Sequence, residues 1–76
     1  MKRLSECKKM RYCIFSGFDE SMPFRIRRRM CELGFIAGQK VRLVRCSLLK
    51  RAFLVELRGY TLSLRKSIVD GLLVIE

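Results

Sequence analysis

Between residues 53 and 64 apolar side chains recur at every second position, and Arg58-Gly59 interrupts the pattern once. Phe53, Val55 and Leu57 precede the interruption, with Leu54, Glu56 and Arg58 on the other face; Tyr60, Leu62 and Leu64 follow it, alternating with Thr61 and Ser63. Successive strand residues point to opposite faces, so each half has one apolar face. Arg58-Gly59 is a tight turn in which glycine supplies positive φ. An isolated hairpin is marginal in water, so the rest of the chain must cover this apolar face. With 76 residues in all, there is material for one small core and no more.

The flanking segments supply that cover. Met10 to Ser16 reads as a strand with Met10, Tyr12 and Ile14 toward the core and Arg11 outward. Gly17 ends it, and Asp19-Glu20-Ser21 signals a helix start, with Ser21 or Met22 at the N-cap and Pro23 in the first turn. The helix is expected over 22–33, with Ile26, Met30 and Leu33 on one stripe and Arg25, Arg28, Arg29 and Glu32 opposite. Gly34 falls where a left-handed C-cap is wanted, and Phe35 is placed to pack back on Met30. Strands follow at Lys40–Cys46 and Leu72–Ile75, with about one turn of helix over Arg65–Asp70. The expected architecture is a single domain over 1–76, mainly β with one helix: an SH3-like, five-stranded, partly open barrel.

Composition then narrows the function. Lys and Arg number 17 against 7 Asp and Glu, a net charge of +10, which attracts nucleic acid, anionic lipid or an acidic protein face. No apolar run exceeds four residues, the length of Leu72 to Ile75, far short of the roughly 20 residues of a membrane span. Met1 to Glu6 leads directly into Cys7-Lys8-Lys9 without an apolar signal core, so a cytosolic location is expected. There is no histidine, and no paired carboxylates appear. A cysteine nucleophile needs an activating histidine or a helix N-terminus, and Cys31 lies toward the other end of its helix. No enzyme is expected.

Cysteines stand at 7, 13, 31 and 46, no two of them separated by just two residues. Structural zinc sites favour short cysteine pairs, so the four thiols read as small hydrophobes in a reducing compartment. No cofactor or metal is expected, and folding should survive a chelator.

Two stretches carry a family resemblance. Ile26-Arg27-Arg28-Arg29-Met30-Cys31-Glu32-Leu33-Gly34-Phe35-Ile36-Ala37-Gly38 and Arg58-Gly59-Tyr60-Thr61-Leu62-Ser63-Leu64-Arg65-Lys66 resemble FeoA-type domains. These have an arginine-rich helix ending in Leu-Gly-Phe and a Gly-Tyr-x-Leu-Ser-Leu-Arg strand. Leu4-Ser5-Glu6 and Leu73-Val74-Ile75-Glu76 are similar too, so the likeness spans nearly the whole chain. Ala37 stands where the family usually has proline. The family's Pro-Leu-Gly-Asp-Pro loop is here Leu48-Leu49-Lys50-Arg51-Ala52, an apolar and basic turn in place of an acidic one. The resemblance implies an SH3-like fold, a cytosolic place at the inner membrane face, and support of the ferrous iron transporter FeoB, whose cytosolic part is a GTPase. A related domain in metal-dependent repressors acts as an intramolecular interaction module.

The expected partner surface is therefore Leu48, Leu49, Lys50 and Arg51 at a hairpin tip, with Arg25, Arg28 and Arg29 on the helix. The leucines could instead cover the open barrel end, and the arginines could form a solvated face with an Arg28–Glu32 pair. Arg27 is read as solvated face. A second reading is a small basic barrel that binds nucleic acid. Against it, most of Tyr12, Phe15, Phe18, Phe24, Phe35, Phe53 and Tyr60 are expected to face the core, leaving little stacking platform.

Overall fold

The computed structural model describes all residues from Met1 to Glu76. Six strands form one sheet: β1 (Lys2–Arg3), β2 (Tyr12–Phe18), β3 (Lys40–Cys46), β4 (Ala52–Leu57), β5 (Tyr60–Arg65) and β6 (Leu72–Ile75). Helix α1 (Phe24–Leu33) joins β2 to β3, and α2 (Lys66–Val69) joins β5 to β6. The strand order is β1-β6-β2-β3-β4-β5, with every pairing antiparallel. No ladder joins β1 to β5, so the curled sheet stays open.

The hairpin read from the alternation is present in register. Phe53 pairs with Leu64, Val55 with Leu62 and Leu57 with Tyr60. Phe53, Val55, Leu57 and Leu64 are buried. Arg58 and Gly59 both take positive φ, 51° and 82°, the type I′ signature of a two-residue turn.

Two expectations about the sheet are corrected. There are six strands rather than five, because β1 adds a two-residue ladder, Lys2 to Val74 and Arg3 to Leu73. Two residues carry no periodicity, so nothing in the sequence announces them. In β2 the phase is inverted: Tyr12 and Ile14 face outward, as does Met10 before the strand, while Cys13 and Phe15 are buried. Both phases of this segment hold apolar residues, and pairing with neighbours decides between them. Cys13 lies opposite Val41 and Phe15 opposite Val74, both fully buried. A bulge between Phe15 and Gly17 then lets Phe18 pack against the same core.

The helix begins at Phe24, with Pro23 at the N-cap position rather than Ser21 or Met22. Ser21 is engaged elsewhere: its N–H and hydroxyl both donate to the Asp19 carboxylate. The Pro23 carbonyl accepts from the Ile26 and Arg27 amides, both at 3.0 Å. Met30 is buried, and Ile26 and Leu33 pack half-buried against the core, as the stripe requires. At the far end Gly34 takes φ 115°, its N–H donating to the Cys31 carbonyl, while the Phe35 N–H donates to Met30 at 3.0 Å. This is a Schellman ending, and it drives Phe35 into the core against Phe15, edge to face at 5.6 Å.

Candidate interaction surface

The β3–β4 connection is a tight turn. Lys50 N–H donates to the Ser47 carbonyl at 2.9 Å, and Ser47 N–H to Ala52 at 2.8 Å. The Ser47 hydroxyl oxygen accepts from the Arg51 and Ala52 amides, satisfying the backbone without help from Leu48 or Leu49. Those two side chains occupy the apex and stand 97% and 69% exposed. They do not cover the open barrel end. Lys50 takes φ 56° at the position where the family's loop has glycine. A lysine here holds a left-handed conformation that glycine adopts without strain.

The tip borders a groove. Lys50, Lys66, Lys9 and Arg3 rim it, and Leu43 and Phe53 lie beneath. Two carboxylates also line it and both are engaged: Lys66 Nζ reaches Asp70 at 2.8 Å and the Ser5 hydroxyl donates to it, while Glu6 accepts from the Arg3 amide at 3.1 Å. Burial alone would raise the Asp70 pKa, but the bonds from Lys66 and Ser5 and the Arg3 charge hold it below the usual value. The groove therefore sets four cationic side chains, Arg3, Lys9, Lys50 and Lys66, against the two carboxylates Glu6 and Asp70.

Arg25, Arg28 and Arg29 are all exposed on α1. Arg28 meets Glu32 only loosely, at 3.9 Å. Arg27 does something else: its Nε donates to the Met22 carbonyl at 2.8 Å and its Nη2 to Glu20 at 3.1 Å, tying the helix start to the preceding loop. The tip and the helix start both border α2. Lys66 N–H donates to the Arg51 carbonyl at 3.0 Å, while Met22 and Ile26 line a cleft with Ile68 and Gly71.

Three aromatic residues are exposed, more than the sequence suggested: Tyr12, Phe24 and Tyr60. They stand apart. Tyr12 lies on the outer face of β2, between Lys40 and the Arg42 guanidinium, which sits 4.6 Å from the ring centroid. Phe24 opens α1, and Tyr60 donates its hydroxyl to the Leu33 carbonyl at the other end of that helix. They form no continuous stacking track.

One cluster escaped the spacing argument altogether. Cys7 and Cys13, five intervening residues apart, bring their sulfurs to 3.3 Å in the core, and Glu76 stands beside them. Burial, reinforced by the Cys13 thiol, pushes the Cys7 thiol up to about 12, so it is protonated at neutral pH. Cys31 is exposed on α1 and Cys46 is half-buried. Only the 3₁₀ turn at Leu4–Glu6 and the β1–β6 ladder bring Cys7 and Glu76 together.

A small, open, antiparallel β-sheet with one main helix places the chain among small SH3-like domains. The FeoA domain family model matches residues 2–76, and the chain belongs to that family. FeoA of Chlorobium tepidum superposes with a TM-score of 0.86 at 28% identity, over 99% of this chain and 69% of that one. A FeoA-like protein of Clostridium acetobutylicum gives 0.81 at 26%, over 96% and 83%. FeoA of Stenotrophomonas maltophilia, solved with zinc, gives 0.80 at 27%, over 93% and 86%. That last protein is described as an SH3 domain protein and a candidate activating factor of bacterial ferrous iron transport. No curated protein matches the sequence significantly. No helix is long and apolar enough to cross a membrane.

Proposed function

We propose that this chain is a non-enzymatic cytosolic accessory protein of ferrous iron uptake that binds and modulates the membrane GTPase transporter FeoB. Family membership supports the pathway. The observation that carries the surface is the hairpin tip. Leu48 and Leu49 project from a turn whose backbone is already satisfied, next to Lys50, Arg51 and the cationic groove. Apolar residues at the centre of such a contact supply most of the binding energy, while surrounding charges speed encounter and set register. Arg25, Arg28 and Arg29 provide those charges on α1, and an acidic face on the transporter's cytosolic domain is the matching surface.

The test is binding kinetics against the cytosolic domain of the cognate FeoB at two salt concentrations. Leu49→Ala is expected to weaken binding by about 1–2 kcal/mol, mainly through faster release. Arg28→Glu is expected to slow association and flatten its salt dependence. Both variants should melt like the parent, since both positions are off the core. Unchanged kinetics in two folded variants would place the partner surface elsewhere. Salt-steep binding to generic RNA, with none to the transporter, would replace this reading with the nucleic-acid one.

A further inference from the structure

The Cys7–Cys13–Glu76 cluster is not among the side chains that carry the proposed partner contact, although Cys7 lines the neighbouring groove. A pair of buried thiols alone would be ordinary core packing, since cysteine behaves as a small hydrophobe. The third member changes that. The two Sγ atoms and a Glu76 carboxylate oxygen lie within 4.8 Å of one another, from three separate stretches of the chain. Ligands at about 2.3 Å from a tetrahedral ion stand roughly 3.7 Å apart. The sulfurs, at 3.3 Å, need to open by only a fraction of an ångström, and Glu76, exposed at the surface, can close the remaining distance.

We infer that Cys7, Cys13 and Glu76 form a binding site for a thiophilic divalent transition-metal cation. Loading exchanges two thiol protons for one ion, leaving two thiolates and one carboxylate bound to it and two protons in solvent. Three protein ligands leave a fourth position for water or for a donor from a partner. The assembled site carries one net negative charge. Lys2, whose ammonium stands 3.3 Å from Glu76, offsets it and orients the carboxylate. Cys7 also lines the groove, which gives the ion a path. Arg3 and the three lysines around that groove disfavour cations held by charge alone, so selection falls to sulfur, and hard ions such as magnesium and calcium are excluded.

The experiment is titration of the purified, reduced chain with Co²⁺ under argon, followed by thiolate-to-cobalt charge-transfer absorption. We expect saturation at one ion per chain, release of two protons per ion by calorimetry in buffers of different ionisation heat, and displacement by Zn²⁺ but not by Mg²⁺ or Ca²⁺. Cys13→Ala, checked for folding by circular dichroism, should abolish the band. Glu76→Gln, a surface change that leaves the core intact, should weaken Co²⁺ binding at least about tenfold, the loss typical even of an outer-shell partner. A Cys31→Ser/Cys46→Ser double variant should titrate like the parent. No charge-transfer band in the parent, a band lost in the double variant, a band retained in Cys13→Ala, or no effect of Glu76→Gln would each overturn the assignment.

Discussion

Replacing Gly34 by alanine tests whether the helix ending holds the core together. Gly34 takes φ 115°, where an L side chain is strained, and a left-handed conformation costs a non-glycine residue about 1–2 kcal/mol. The added methyl also lands 2.9 Å from Arg58 Cδ and 3.2 Å from Leu57 Cδ1. Arg58 is exposed and can swing aside, but Leu57 is buried in the core and cannot. Alanine also loses less chain entropy on folding, which returns about 0.4–1 kcal/mol. With about 1 kcal/mol of crowding at Leu57, the sum is a net loss of roughly 2 kcal/mol. For a domain of this size that lowers Tm by about 8–16 °C. The assay is thermal unfolding by far-ultraviolet circular dichroism, with urea denaturation to confirm an unchanged slope. An unchanged or raised Tm would refute the argument, because it would mean that the unfolded-chain entropy outweighs both strain and contact.

The hairpin tip offers the opposite case. Lys50 takes φ 56° in an exposed turn, so Lys50→Gly should relieve left-handed strain and raise stability by about 0.5–1 kcal/mol, read as a higher urea midpoint. Acid should destabilise the domain in a defined way. Asp70 is held below its ordinary value, so its contribution is present above the unfolded carboxylate range near pH 4 and disappears as pH falls through the lower folded value. Ser5→Ala removes one of the bonds that depress it. The carboxyl titration followed by nuclear magnetic resonance should then move up, and the acid-induced drop in Tm should shrink.

Much of this fold is legible in the residues because local and tertiary preferences agree there. The β4–β5 hairpin reads directly from one apolar phase and one Arg-Gly turn, and the helix ending from Leu33-Gly34-Phe35. Where two phases were both apolar, as in β2, local pattern carried no decision. Burial of Cys13 and Phe15 was settled by Val41 and Val74 on neighbouring strands, 28 and 59 residues further along respectively. The exposed tip was legible as a turn, because the family's loop marks it, but its bareness was not. Only the completed sheet shows that nothing in the chain covers Leu48 and Leu49.

The thiol cluster marks the boundary most sharply. Motif spacing detects ligands that share one loop or one helix turn, and Cys7, Cys13 and Glu76 share neither. They meet because β1 and β6 pair at one edge of the sheet while β2 lies on the other side of β6. By itself the sequence determined the β4–β5 periodicity and the Gly34 helix C-cap, which depend on neighbours within a few residues, and the excess of positive charge, which is set by composition alone. The tertiary structure alone decided which face of β2 is buried, which aromatic rings meet solvent and which sulfurs touch. Those outcomes depend on strand pairings between residues distant in the chain, which no local pattern encodes.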